Sequence, residues 1–286
     1  MTGEHSISLL CEVLGVARSG YYRWSAAAAT DRQRDDSALA AQIAVSHRQS
    51  RGNYGAPRIV ADLREAGVRT SRRRCARLMG DLGLRGRKKH RRKPRTTDSR
   101  HDQPVAPNLL ALLEKPQAPD QVWLTDITYL DTGEGWLYLA VILDAWSRRV
   151  VGWACAATLV ATLVIAALQD AIKRRGPQPG LLHHSDRGSQ YVDADLVAAL
   201  NAAGVARSMS RAGNCYDNAT MESFWSSLKT ETAMDLQPAA TRLAAKLAVF
   251  DYIETFYNPA RRHSALGYLS PVVFETKNSK QHSKAA

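Results

Sequence analysis

Val122-Trp123-Leu124-Thr125-Asp126-Ile127-Thr128-Tyr129-Leu130 is an apolar run with a single carboxylate at its centre. It reads as a buried strand. An aspartate inside a buried strand needs a partner or a cation. Downstream, Asp186 follows Leu181-Leu182 and His183-His184-Ser185 and precedes Arg187-Gly188-Ser189, where a strand turns into a loop. Glu222 lies in Asn218-Ala-Thr-Met-Glu-Ser-Phe-Trp-Ser-Ser-Leu-Lys229, which reads as a helix start, with 35 residues between it and Asp186. Two strand regions and a helix can bring three acids to one point. Like charges held together cannot all stay ionised alone, and oxygen ligands suit Mg²⁺ or Mn²⁺. Two such ions about 3.5–4 Å apart activate a water or hydroxyl and stabilise the leaving oxygen of a phosphodiester. The pattern points to phosphoryl transfer on nucleic acid.

Working outward, strands are expected at about 121–131, 136–144 and 148–156, antiparallel, with a hairpin turn at Thr132-Gly133-Glu134-Gly135. A helix at 159–175, a strand at 180–185, a helix at 193–203 ended by Gly204 and a strand at 205–209 follow. The loop Ser210–Tyr216 leads to the Glu222 helix, capped by Asp217 or Asn218, and a long helix covers 239–257. Trp123, Trp136 and Trp153 are expected in the core. His183 and His184 are adjacent on a strand and point to opposite faces, so at least one is structural.

The net charge of +12 lies entirely upstream. Residues 1–118 hold 23 Lys and Arg against 11 acids, whereas 119–286 hold 16 of each. Residues 72–95 carry twelve basic side chains and the single acid Asp81, a footprint for a polyanion. Residues 6–24 read as two short helices, with an apolar face of Ile7, Leu9, Leu10, Val13 and Leu14 broken at Gly15; residues 26–49 read as a connecting helix. In 56–84, one helix carries Ile59, Val60 and Leu63 and stops at Gly67; Ser71 caps a second that turns Cys75, Leu78, Met79 and Leu82 inward. Arg72, Arg73, Arg74 and Arg77 then lie on the outer face, suited to the DNA major groove or backbone. The plainer alternative is a helical hairpin with a solvated basic face. Arg87, Lys88, Lys89, Arg91, Arg92 and Lys93 follow without apolar period, as an arm that tracks phosphates. The expected boundaries are a small helical segment at 1–45, a basic helix-turn-helix-like domain at 46–95, a Pro-rich linker at 96–118 with a short helix at Asn108–Glu114, and the catalytic core at 119–286.

The four cysteines are far apart with no zinc spacing, and no export signal or membrane span is expected. Free thiols in a reducing cytoplasm are the default.

Blocks at Trp123–Tyr129, Gly135–Ala140, Asp144–Trp153, His183–Tyr191, Ser208–Asn218, Glu222–Phe224 with Lys229, and Arg261–Pro271 occur in order. Together they resemble the catalytic core of a bacterial insertion-sequence transposase of the OrfB type, in the retroviral-integrase superfamily with its Asp-Asp-Glu triad. Ser50–Arg58 and Arg77-Leu-Met79 resemble the same family upstream. The resemblance implies an α/β, ribonuclease-H-like core with a five-stranded mixed sheet flanked by helices, after an all-α helix-turn-helix-type region. It implies Asp126, Asp186 and Glu222 as ligands of two Mg²⁺ or Mn²⁺ ions, and Lys229, seven residues past Glu222, as a contact to the DNA end. A surface lysine is the plain alternative there. Arg261, Arg262 and His263 either contact DNA or tie the C-terminal segment down.

The activity implied is hydrolysis and strand transfer at the ends of an insertion sequence. Double-stranded DNA, further copies of the chain and an upstream OrfA-type protein or frameshift fusion are the implied partners, in the bacterial cytoplasm at the nucleoid. The alternatives are a nuclease of the same fold that cuts without joining, and a non-catalytic DNA-binding remnant.

Overall fold

The computed structural model describes residues 5–26, 30–88, 105–211 and 219–285, with side chains to 278. Two compact units form, residues 1–86 and 87–286.

In the first unit, α1 (Ile7–Val13) and α2 (Arg18–Ser25) are joined by a turn at Gly15, whose φ of +64° suits glycine. The apolar face of α1 is largely exposed: Cys11 is the buried residue of the helix, and Leu9, Val13 and Leu14 are exposed. Seven residues cannot bury both sides against a single short neighbour. Helices α3 (Asp31–Gln49), α4 (Ala56–Glu65) and α5 (Arg72–Asp81) pack together. Thr30 and Gln33 form a reciprocal capping box on α3. Leu39 and Ile43 of α3 meet Ile59 and Leu63 of α4 and Cys75, Leu78 and Met79 of α5 as the buried residues of the bundle. Helix α3 is the helix expected over 26–49, and it packs as a member of this bundle.

The second unit is a five-stranded sheet in the order β3-β2-β1-β4-β5. Strands β1 (Val122–Leu130), β2 (Leu137–Asp144) and β3 (Val150–Ala156) are antiparallel; β4 (Leu182–Ser185) and β5 (Ala206–Met209) run parallel to β1. This is the expected mixed sheet. Alternation along β1 sorts its side chains. Trp123 joins a core with Ala140 and Ile142 of β2, α6 (Ala161–Arg175) and α7 (Ala194–Ala202), and Ile127 packs against it. Asp126, on the other phase, meets α8 (Ala219–Thr232).

Downstream, α9 (Arg242–Phe250) continues as a wider π-type turn over Asp251–Tyr257, where one α-helix was expected, and α10 (Pro271–Ala285) ends the chain. The expected helix at Asn108–Glu114 is a single 3-10 turn, Leu110–Leu112. Its amides are taken elsewhere: Ser208 Oγ accepts from Leu109 and Leu110 N–H, and Asn108 Oδ1 from Ala111 N–H. Trp136 is 51% exposed, not core; it sits outside β2 beside the hairpin, edge-on to Tyr129.

Candidate active site

Asp126 is half-buried in the middle of β1, opposite Val141. Its Oδ1 accepts from Ile127 N–H at 2.9 Å and its Oδ2 from the indole Nε1–H of Trp225 at 2.9 Å. Asp186 follows the last residue of β4, the strand beside β1. Its Oδ1 accepts from Gly188 N–H at 2.9 Å, so the turn expected of Asp-x-Gly is present. A side chain at 188 would meet that oxygen at 3.1 Å. The two aspartates share a neighbourhood. The Tyr191 hydroxyl is pushed well up by burial and then by both carboxylates, and Tyr129 is raised by burial, Tyr138, Asp186 and Asp126.

Glu222 stands exposed in the first turn of α8, one turn before Trp225. No group of three His, Cys, Asp or Glu side chains is assembled closely enough to hold a metal ion among the described residues. The structure thus joins Asp126 and Asp186, and keeps Glu222 one turn along the helix that touches Asp126. Lys229 is half-buried two turns after Glu222; burial lowers its pKa against the opposing pull of Asp126 and Asp235.

Both histidines are internal. His183 is buried with its pKa held down at about 3 by burial, His184 and Arg207. His184 Nδ1 and Nε2 lie 2.9 and 3.1 Å from the hydroxyls of Ser208 and Ser210. Arg261 is buried against Glu231, and Arg262 Nη1 donates to Tyr268 O at 2.9 Å, so both tie down their own segment.

A further acid, Asp144, is fully buried, and its sequence context alone assigns it no role. It accepts from Asp120 N–H, Ser147 N–H and Ser147 Oγ at 2.7–2.8 Å. Burial raises its pKa and these donors oppose the rise. Its place opposite Trp123, at the far end of β1 from the exposed site, makes it a turn-holding residue.

On α5, Arg72 and Arg73 are exposed, with no ion pair among the described residues. Arg74 and Arg77 are held by Asp36 of α3 and are not free on an outer face. The two arginines are three positions apart, which places them together on the side of α5 that α3 meets. Arg87 Nη1 donates to the carbonyls of Thr230 and Glu231 at 3.1 and 3.3 Å, at the C-terminal end of α8. Lys88 is exposed. Lys89, Arg91, Arg92 and Lys93, like Asp217, Asn218 and Cys215, lie outside the described residues.

Asp126 lies in β1 and Asp186 directly follows the neighbouring parallel strand β4; the family matches make the class that of an integrase-core nucleotidyl transferase. Models of the integrase core domain match residues 116–215 and 203–271, and a model of an HTH-like domain matches 33–93. An insertion element IS600 31 kDa protein of Shigella sonnei is 45% identical over 94% of this chain and 98% of its own. The transposase InsF for insertion sequence IS3A of Escherichia coli is 41% identical over 96% of each chain. The catalytic core of BIV integrase aligns over 58% of this chain and 99% of its own, at 19% identity and a TM-score of 0.42. The chain belongs to the insertion-sequence transposase family that includes these InsF proteins. No helix among the described residues is long and apolar enough to cross a membrane.

Proposed function

We propose that Asp126, Asp186 and Glu222 form the catalytic triad of this transposase and hold two divalent ions, Mg²⁺ or Mn²⁺. The observation that carries the reading is Asp126 in β1 and Asp186 directly after the adjacent parallel strand β4, with the Glu222 helix bonded to Asp126 through Trp225. The donor set fits a hard cation: carboxylate oxygens, with both nitrogens of His184 occupied by serine hydroxyls. When bound, such ions activate the attacking oxygen and stabilise the leaving one.

The chain's own groups do the positioning. Ile127 N–H and Trp225 Nε1–H hold the Asp126 carboxylate, and Gly188 N–H holds that of Asp186. Water attacks a phosphodiester at an element end; the bond from phosphorus to the 3′ oxygen breaks and leaves a 3′-hydroxyl. That hydroxyl attacks a second phosphodiester, one P–O bond forming as another breaks. Lys229, on the Glu222 helix, sets its ammonium beside the DNA end. Preorganised charge and position supply most of the rate.

DNA is held by Arg72 and Arg73 of the helical unit and by Lys88 on phosphates, with Lys89, Arg91, Arg92 and Lys93 extending the contact. Arg74, Arg77 and Arg87 contribute less, because Asp36 and the end of α8 engage them. The active form is a multimer across two element ends, assisted by an upstream OrfA-type protein or a frameshift fusion to it, in the bacterial cytoplasm at the nucleoid.

A strand-transfer assay on DNA carrying the flanking element ends, with and without the upstream protein, tests the reading. Joined products that vanish in Asp126→Asn, Asp186→Asn and Glu222→Gln are expected. Hydrolysis without joining, or salt-sensitive binding alone, would overturn it.

A further inference from the structure

We propose that Trp225 is a positioning residue for Asp126: its indole N–H sets how that carboxylate is presented to a divalent cation. The inference rests on the reading of Asp126 as a cation ligand.

Each oxygen of Asp126 accepts a donor at 2.9 Å, one from the backbone of Ile127 and one from Trp225. A carboxylate has about four lone-pair sites. Two fixed donors on different oxygens lock the torsion of the group. The Ile127 donor comes with the strand. The Trp225 donor comes from another element, 99 residues away in sequence. It is also not replaceable by a passing water: Trp225 is 8% exposed and packs edge-on against Phe224 at 4.9 Å, which packs edge-on against Tyr257 at 4.9 Å. This packing holds the indole in place with its N–H on Asp126 Oδ2.

The same bond fixes α8 along β1. Glu222 is one turn before Trp225 on the helix, so the height at which the indole meets Asp126 also sets where Glu222 stands. Arg148, bonded to the hydroxyl of Thr220, holds the first turn of α8 at its other side. A residue that served packing alone would need no N–H at this position, and phenylalanine would fill most of the same space.

Outer-shell donors of this kind cost about 10–100-fold in metal affinity or activity when removed. The test uses the full-length chain without DNA, with Mn²⁺ alone as probe and free Mn²⁺ counted by electron paramagnetic resonance. Trp225→Phe is expected to weaken Mn²⁺ binding about tenfold while leaving the thermal midpoint close to that of the parent. Benzothienylalanine in place of Trp225, isosteric but without the N–H, is expected to do the same and covers the case in which the phenylalanine variant folds poorly. Asp126→Asn is expected to abolish the binding. If both Trp225 replacements bind Mn²⁺ like the parent while Asp126→Asn does not, Trp225 only fills space and the proposal is overturned. If Asp126→Asn binds like the parent, the reading of Asp126 fails and takes the proposal with it.

Discussion

Arg261 and Glu231 form a two-pronged ion pair inside the second unit: Nε lies 2.7 Å from Oε2 and Nη2 2.7 Å from Oε1, with side chains 5% and 6% exposed. Tyr252 Oη adds a donor to Oε2 at 2.9 Å, and Arg261 Nη2 donates to Ser227 Oγ at 3.0 Å. Burial alone would lower the guanidinium pKa; Tyr252 and Glu231 hold it above its ordinary value. The pair ties the segment after the π-type turn to the end of α8, and so to the helix that carries Glu222.

Arg261→Met should therefore be costly. It leaves a buried carboxylate without its cation, a change worth about 3–5 kcal/mol. Urea unfolding followed by tryptophan fluorescence reads the loss. Adding Glu231→Leu should recover most of it, because the orphaned charge is then gone. A single variant with parental stability would show that Glu231 is solvated.

The arginines of α5 divide into two classes, and DNA binding should separate them. Arg72→Ala and Arg73→Ala are expected to weaken binding across sequences and to flatten the salt dependence, by about 0.9 in log–log slope for each phosphate no longer neutralised. Arg74→Ala should change the slope less, since Asp36 holds that guanidinium with its Nε 2.7 Å from Oδ1. Fluorescence anisotropy at several salt concentrations measures both. Equal slope changes for all the variants would mean that DNA draws Arg74 away from Asp36.

Much of this was legible in the sequence, and the reasons are local. The strands β1 to β3 carry runs of apolar and β-branched residues around a glycine-containing turn, so type and order follow from pattern. Asp126 stood out because a carboxylate in such a run is costly. Partner choice across the chain was not legible. Nothing in Arg72-Arg73-Arg74-Cys75-Ala76-Arg77 tells which guanidinium meets Asp36, since that depends on the angle at which α3 crosses α5. Asp144 and Asp126 both sit in apolar strands, and only tertiary packing separates the turn-holding acid from the candidate ligand. Trp225 carried a faint signal: a tryptophan three residues after Glu222 falls on a neighbouring face of the helix.

Gly152 of β3 lies directly against α6. A Cβ there would lie 2.4 Å from Ala167 O and 2.7 Å from Ala171 Cβ and N. The obstacles are helix backbone and a methyl group, so no flexible side chain can swing aside. Gly152→Ala should force α6 off the sheet and cost about 1–3 kcal/mol, as overpacked cores do. Thermal unfolding would show a lowered midpoint, and an unchanged one would mean that the two elements slide apart freely.

His183 makes stability depend on pH in a definite direction. The ring is buried, its Nε2 finds no hydrogen-bond partner among the described residues, and its pKa is held at about 3. In the unfolded chain the group titrates near its ordinary value of 6.5. Between these values the unfolded state carries a proton that the folded state refuses. The stabilisation is thus complete above pH 6.5 and is lost as pH falls toward 3, at up to about 1.4 kcal/mol per pH unit for one proton. His183→Leu keeps an apolar side chain in the same space and cannot take up the proton. Urea unfolding at pH 7.5 and 5.0 should show a smaller drop for the variant than for the parent, the other titrating groups being common to both. Equal drops would mean that water reaches the ring in the folded state and that His183 charges there as it does in the open chain.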